Sequence, residues 1–269
     1  MPSYRGISPE INGGANLGSQ TQMWGKVYAN HVLTAGSLYR RRTRKTFTLA
    51  DLEAAVADGD YAARDIAPGD YYEGASGYTY IFAGDNPMKG DHTYTIQSNH
   101  AGLIVLTHET SKWNNSNDTT GGYVSSILHS YLVSTVLPKV NTDLGSSHLL
   151  AHGKQFSTSV GGTLYNRYGS SSGASNNFAL STNQFISALT EIQVYGGIVW
   201  SSSGYDTGEA DQQLDVFKRY KHTEIFGNES VWLRDIASSL SACYANFAGY
   251  AHNGIASNEQ YVAGLICFN

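Results

Sequence analysis

Nine histidines, two cysteines and twenty-two acidic residues are the groups from which this chain could build a catalytic or metal site. Their spacing decides what they can do. His148 and His152 flank Leu149-Leu150 at the interval that lets two imidazoles on one helix face share a metal, yet no Asp, Glu or Cys lies close by to complete the shell. Asp85, Asp91 and Glu109 could meet in the fold as oxygen ligands for calcium, although their spacing is not that of a calcium loop. Asp206, Glu209, Asp211 and Asp215 form an acidic cluster that reads either as paired carboxylates for acid–base work or as a solvated helix start. The second is preferred, because acids favour the positive end of a helix. Cys243 and Cys267 lie among apolar neighbours, outside any Cys-x-x-Cys spacing, and read as buried free thiols. Glycine-rich phosphate loops, Gly-x-Ser-x-Gly and His-Glu-x-x-His are all missing. The expectation is a protein that is not an enzyme, with no cofactor and no metal.

Composition points to recognition instead. Charged residues make up 14% of the 269, against roughly 25% in ordinary soluble domains, while Gly (29) and Tyr (19) are abundant. Tyrosine offers a stiff amphipathic contact face, which suits binding loops, and it also packs well in strands. A net charge of -5 gives no basic field for a phosphate backbone, so no nucleic-acid partner is expected. The local run Arg40, Arg41, Arg42, Arg44 and Lys45 reads as a linker or docking face. Neither a signal peptide nor an apolar stretch of membrane-spanning length is visible, so no membrane insertion is expected.

The elements that must carry any site follow from periodicity. Residues 1 to about 45 show no core. Thr48 caps a helix whose Leu49, Leu52, Ala55 and Val56 share a face and which stops at Asp58-Gly59-Asp60, closing an N-terminal module of residues 1–62. Strands are expected at Tyr71-Tyr72, Tyr78 to Ala83, Thr93 to Gln97 and Leu103 to Thr107. A helix carrying Val124, Ile127, Leu128, Tyr131, Leu132, Thr135 and Val136 should end at Pro138. Phe185 to Val194 allows a second helix, or a helix running into a strand, and Leu214, Phe217 and Tyr220 a third. Gly161 to Asn177 and Ser201 to Gly208 read as long loops.

From Trp232-Leu233-Arg234-Asp235 to the final strand Val262 to Phe268 lies a stretch of Ser, Ala, Asn, Tyr, Gly and His with almost no aliphatic bulk. Such a stretch cannot make a core of its own and should be held, exposed, between two apolar ends.

Several of these segments together resemble a known family. Asp65-Ile66-Ala67-Pro68-Gly69-Asp70-Tyr71, Tyr80-Ile81-Phe82-Ala83-Gly84, His100-Ala101-Gly102-Leu103-Ile104-Val105-Leu106, Gly121-Gly122-Tyr123 and Glu191-Ile192-Gln193-Val194-Tyr195-Gly196 occur in that order. Followed by Trp232 to Asp235, Ala256-Ser257-Asn258 and the last strand, they resemble bacteriophage structural proteins that carry a C-type-lectin-like domain. Each motif is short, and their order carries the resemblance. Related domains include the variable proteins of diversity-generating retroelements, in which mutated adenines rewrite codons of the closing segment. One departure is local: Tyr261-Val262-Ala263-Gly264 stands where many relatives have Gly-Val-Arg-Pro.

The resemblance implies an α+β fold over residues 63–269, with short twisted antiparallel strands, two or three helices and long loops, preceded by the module of residues 1–62. It implies a virion protein, assembled in the host bacterial cytoplasm, that meets a host-surface glycan or protein at the tail or on a fibre. The N-terminal module would attach to other virion proteins, and a homo-oligomer, trimer favoured, would raise avidity. Ser239, Ser241, Tyr244, Asn246, Phe247, Tyr250, His252, Asn253 and Ile255 are the candidate ligand-binding face. Trp232, Arg234, Asp235 and Asn258 are its scaffold, while Glu259 and Gln260 fall outside the set of residues that adenine mutagenesis yields. The alternative is a structural virion component, such as a capsid decoration or head-fibre protein, without specific receptor binding. An oxidase of the formylglycine-generating kind shares the fold but needs a close pair of reactive thiols, which Cys243 and Cys267 do not suggest.

Overall fold

Thr48 opens a helix by accepting the Asp51 amide on its hydroxyl, and Gly59, left-handed at φ 68°, closes it. This is α1 (Leu49–Asp58), the first helix of a computed structural model that describes residues 43–87, 96, 98–157, 178–201 and 212–269. Its Leu52, Ala55 and Val56 enter one core together with Phe47, Tyr61, Tyr80 and Phe82. The chain divides into two units, Met1–Arg44 and Lys45–Asn269, so α1 belongs to the second. Its apolar face is the reason: the helix is spent on the core that follows rather than on a separate module ending at residue 62. Residues 1–42, with Arg40, Arg41 and Arg42, lie outside the described residues, as does most of the strand expected at Thr93 to Gln97.

Three small-to-long strands come next: β1 (Tyr71–Glu73), β2 (Thr79–Asp85) and β3 (Ala101–Lys112). Later in the chain lie β4 (Leu149–Leu150), β5 (His152–Ser157), β6 (Phe178–Gln184), β7 (Ser187–Ala188), β8 (Val231–Ile236), β9 (Ser241–Ala245), β10 (Ala251–Ile255) and β11 (Glu259–Phe268). The main sheet has nine strands, seven of them in the order β1-β2-β3-β11-β8-β9-β10, with β4 and β7 also on β11; β5 and β6 form a separate pair. All named strand pairs are antiparallel except β11 with β8, which meet in parallel at Tyr261 and Val231.

Runs of apolar residues in β2, β3 and β11 are buried on both sides, which is why they lack the polar alternation of a half-exposed strand. Successive side chains take opposite faces. Leu103 and Val105 join Trp232, Val262, Ile266 and Phe268 in one core. Ile104 joins Leu233, Cys243, Ala263, Leu265 and Cys267 in the other.

Helices cover the first core. Ser126 caps α2 (Ile127–Tyr131), which continues as a π turn over Leu132–Val136 and then as α3 (Leu137–Leu144). Pro138 therefore does not end the helix. It sits in the first turn of α3, and the π turn before it absorbs the missing N–H and the ring's bulk. The second core is covered by residues of three short helices, α4 (Glu191–Tyr195), α5 (Asp215–Arg219) and α6 (His222–Ile225), namely Val194, Val216, Phe217 and Ile225. Five α-helices among the described residues of 63–269 exceed the two or three expected there, because pieces of four or five residues are too short to show a helical period. The expected helix-to-strand passage at Phe185 to Val194 runs the other way, from β7 into α4, where Thr190 and Gln193 form a capping box. The fold is α+β around an open sheet sandwiched between two layers, and β3 and β11 are longer than the short strands expected.

Candidate binding face

The closing segment is built as a three-stranded ribbon at one side of the sheet. β8 pairs with β9 and β9 with β10, whose register sets His252 against Tyr244 and Ile255 against Ser241. β11 holds β3 along one flank, and on the other it meets β8, then β7, then β4. β8 thus touches β11 only at its start before the ribbon leads away to β10, the terminal strand of the sheet.

Every side chain of β8 is buried. Trp232 donates from Nε1 to the Ser111 carbonyl at 3.0 Å, while Trp113 donates from Nε1 to the Leu233 carbonyl at 3.1 Å, so two indoles tie the root of the ribbon to the end of β3. Arg234 is buried, and its amide donates to the Leu189 carbonyl. Asp235 is fully buried and accepts the Glu191 amide at 2.8 Å. Asn258, in contrast, is exposed, and its amide closes a turn on the Ile255 carbonyl.

The nine candidate side chains fall in three places. Ser239, Ser241 and Ile255 gather at one end of the ribbon, beside the exposed Leu240, where the Ala256 amide bonds the Leu240 carbonyl. Asn246, Phe247 and Tyr250 belong to the β9–β10 turn at the other end, roughly 13 Å away along a five-residue strand. Tyr244 and His252 lie between them on the face of Trp232, with Asn253 on the opposite face. Asn246 is not a free contact group: it is buried, accepts the Ala248 amide on Oδ1 at 2.7 Å, and its carbonyl meets His222 Nε2 at 2.9 Å. The stretch is also less exposed than its composition suggested. Ala242, Cys243, Ala245 and Ala251 are interior, because small side chains are what a strand between two layers admits.

The rings form a ladder. Tyr244 meets Trp232 edge-on at 5.6 Å and stacks on His252 at 5.1 Å, and His252 stacks on Trp200 at 5.9 Å. Tyr250 also lies 5.9 Å from His252. Gly254 makes room for this arrangement, since a Cβ there would stand 3.0 Å from the Tyr244 ring.

Trp200 comes from outside the closing segment. It follows α4 in a loop whose exposed side chains are Ile198, Val199 and Trp200. The loop is held from below by Glu191, a fully buried carboxylate that accepts the amides of Val199, Trp200 and Ser201 and the Ser201 hydroxyl, at 2.8 to 3.0 Å. Trp200 Nε1 then donates to the Ala251 carbonyl at 2.9 Å, laying the indole on β10. Asp235 holds Glu191, Glu191 holds the loop, and the loop holds Trp200.

Comparison with protein-family models, with curated proteins and with solved structures finds no match to this chain.

Elsewhere the titratable groups are engaged structurally. Glu109 takes hydrogen bonds from Lys139 at 2.7 Å, from Tyr78 at 3.1 Å and from Tyr131. Partial burial works against its charge, but these three donors outweigh burial and hold the carboxyl below the ordinary value. Asp143 is likewise saturated by Ser76 and Tyr80. Asp85 and Glu109 do not come together. Asp85 pairs with Ala101 at the start of β3, and Glu109 lies eight residues along that strand, roughly 27 Å away. Asp91, Asp206, Glu209 and Asp211 lie outside the described residues, and Asp215 is in the first turn of α5, paired with Lys218. Among the described residues no group of three or more His, Cys, Asp or Glu is placed to hold a metal, and no helix is long and apolar enough to cross a membrane. Cys243 and Cys267 are buried and form no disulfide. An open groove of about 530 Å³, lined by Glu53, Val56, Asn99, His148 and Asn269 among others, contains none of the candidate residues. There His148 stacks on Phe268 and stands 3.6 Å from Glu53.

Sequence reasoning missed Trp200 and Glu191. A visible signal existed: Ile198-Val199-Trp200, directly after Gly196-Gly197, is an apolar run outside any element, and such runs are either buried or used.

Proposed function

We propose that the chain is a bacteriophage virion protein, built on a C-type-lectin-like domain, that recognises a ligand on the host surface through its C-terminal ribbon. The observation that carries this reading is the contrast within the ribbon. Phe247 and Tyr250 are 60% and 53% exposed, while β8, which roots them, is entirely buried. Large apolar side chains on a rigid base are what a contact surface needs, because little conformational freedom is lost on binding. The resemblance implies a scaffold that carries the segment after Trp232 on one face. That is consistent with an α+β body in which the long last strand, β11, adjoins the ribbon at the start of β8.

The test is adsorption. Excess purified chain, incubated with host cells before phage is added, should block adsorption, and antibody against the ribbon should do the same. Unchanged adsorption would leave the structural reading, in which the domain decorates the particle.

Diversification by a retroelement is the finer form of this proposal, and geometry narrows its target. Phe247, Tyr250 and Ile255 can vary without disturbing the ribbon, whereas Asn246 builds the turn and should be constant. Sequencing a phage population should find mixed bases at the first three codons and none at Asn246; a uniform segment with no reverse transcriptase gene nearby would end that form of the reading.

A further inference from the structure

We infer that Trp200, Tyr244, Tyr250 and His252 form a saccharide-stacking site, assembled from two separate parts of the chain, with Glu191 as the positioning residue for Trp200. This deepens the binding function proposed above and rests on it.

Three features of the cluster define the ligand. First, it presents flat faces. Trp200 and Tyr250 are 47% and 53% exposed, and both stand beside the same imidazole, at 5.9 Å each. Secondly, the rings are fixed before any ligand arrives. The Trp200 indole has its Nε1 committed to the Ala251 carbonyl and its backbone committed to Glu191, so it offers a π face and not a donor. His252 is wedged between Trp200 and Tyr244, and Tyr244 rests on the buried Trp232. Thirdly, the polar atoms left over include no carboxylate. Among the described residues the hydroxyls of Tyr244 and Tyr250 and Nε2 of His252 have no intramolecular partner, and each is able to accept, with both hydroxyls also able to donate.

A pyranose has the complementary chemistry: an apolar face of C–H groups to lie on a ring, and equatorial hydroxyls at its rim to meet neutral donors and acceptors. A simple cation would find rings but no carboxylate, because both oxygens of Glu191 are turned to the loop and buried. A purely apolar peptide side chain would leave the three polar atoms unpaired at a contact. Recognition by rings and neutral atoms also requires no metal, so chelation should not affect it.

Glu191 acts at one remove. Without its carboxylate, three successive amides lose their acceptor and the bond from Trp200 Nε1 to the Ala251 carbonyl is left to hold the loop against β10, so the indole is less firmly pre-set. Positioning by Glu191 therefore predicts that the loss of binding tracks the loss of the Trp200 ring rather than general unfolding.

The experiment uses the full chain and saturation-transfer NMR with the methyl pyranosides of glucose, galactose, mannose, rhamnose and N-acetylglucosamine, each with and without EDTA. At least one of these sugars should receive saturation on its C–H face, equally in EDTA. Trp200→Ala and Tyr250→Ala should each weaken that binding about tenfold or more, and Trp200→Phe should restore part of it. Glu191→Gln should match Trp200→Ala in sugar binding while its circular dichroism stays native at the measurement temperature. Val133→Ser, an exposed apolar position in the helical layer, is the control. Absence of saturation for all five sugars overturns the inference, as does equal binding by wild type and Trp200→Ala. Tetramethylammonium taking saturation where the sugars do not would make the cluster a cation cage instead. The two levels separate cleanly. Blocked adsorption without sugar binding leaves the proposed function and removes the saccharide; sugar binding without blocked adsorption does the reverse.

Discussion

The centre of the sheet and its β9–β10 edge are made of the same kind of backbone and use it in opposite ways. In β3, β11 and the root at β8, large side chains fill both faces and hydrogen-bonding groups are spent inward, as with the indoles of Trp113 and Trp232. At the edge, the buried positions are the small Ala242, Cys243, Ala245 and Ala251, and the large side chains of Phe247, Tyr250 and Ile255 are exposed. The difference teaches where each region keeps its energy. A change at the centre should cost folding free energy, whereas a change at the edge should leave folding nearly untouched and, on the proposed function, cost contact with a partner.

The largest test of that division is Trp232→Ala. Removing a fully buried indole from the root of the ribbon should destabilise the protein by about 3–5 kcal/mol, read by urea denaturation with an unchanged m-value. A cost below about 1 kcal/mol would mean that β8 does not root the ribbon and would dissolve the comparison. Next comes Glu191→Ala, which leaves three amides of the Trp200 loop without their acceptor. A loss of about 2–3 kcal/mol is expected, visible as a fall in thermal midpoint. Here the edge depends on a buried group of the core-side layer, so hydrogen exchange should rise first at Val199 to Ser201. Uniform acceleration across β3 and β11 would show instead that Glu191 belongs to the centre.

The sequence foretold these two regions unequally, for physical reasons. The α1 cap at Thr48, the strands around Tyr80 and Leu103, and the final strand from Val262 were legible because capping chemistry and apolar runs are local signals. The continuation of the helix past Pro138 was not, since a π turn is an accommodation made by the neighbouring layer and leaves no periodic mark. The candidate face was half visible. Phe247, Tyr250 and Ile255 were named through the resemblance, and they are exposed. Asn246 passed for a contact residue, because an amide that builds a turn and one that meets a ligand look alike until burial is known. Trp200 was missed because its place beside His252 depends on Glu191 and on the path of β8, and both are long-range.

A smaller effect concerns the β9–β10 turn. Burial, with the Asn246 carbonyl acting in the opposite sense, holds the His222 imidazole below its ordinary value of 6.5. The unfolded chain therefore takes up a proton at this residue before the folded one does. The stability that His222 contributes is complete above that value and is lost as pH falls through it towards the folded pKa. Exchange of the Phe247 to Tyr250 amides should accelerate on mild acidification in the wild type and be pH-insensitive, apart from intrinsic chemistry, in His222→Gln. Identical pH profiles for the two proteins would remove His222 from control of the turn.

The smallest expected effect on folding is the most direct check of the edge. Phe247 is the most exposed large apolar side chain described, and what fixes its position is its amide on the Ser230 hydroxyl. Phe247→Ser keeps that amide bond and removes only the ring from water, so the change in stability should stay within about 0.5 kcal/mol. Binding follows a different rule. On the proposed function, the exposed ring contributes to a contact made outside the chain and not to folding. On the proposed function, adsorption should fall when Phe247→Ser is placed in the phage, with the thermal midpoint unmoved. A lowered midpoint with unchanged adsorption would mean that the ring packs on the protein itself, and the edge would then be a thinner version of the centre.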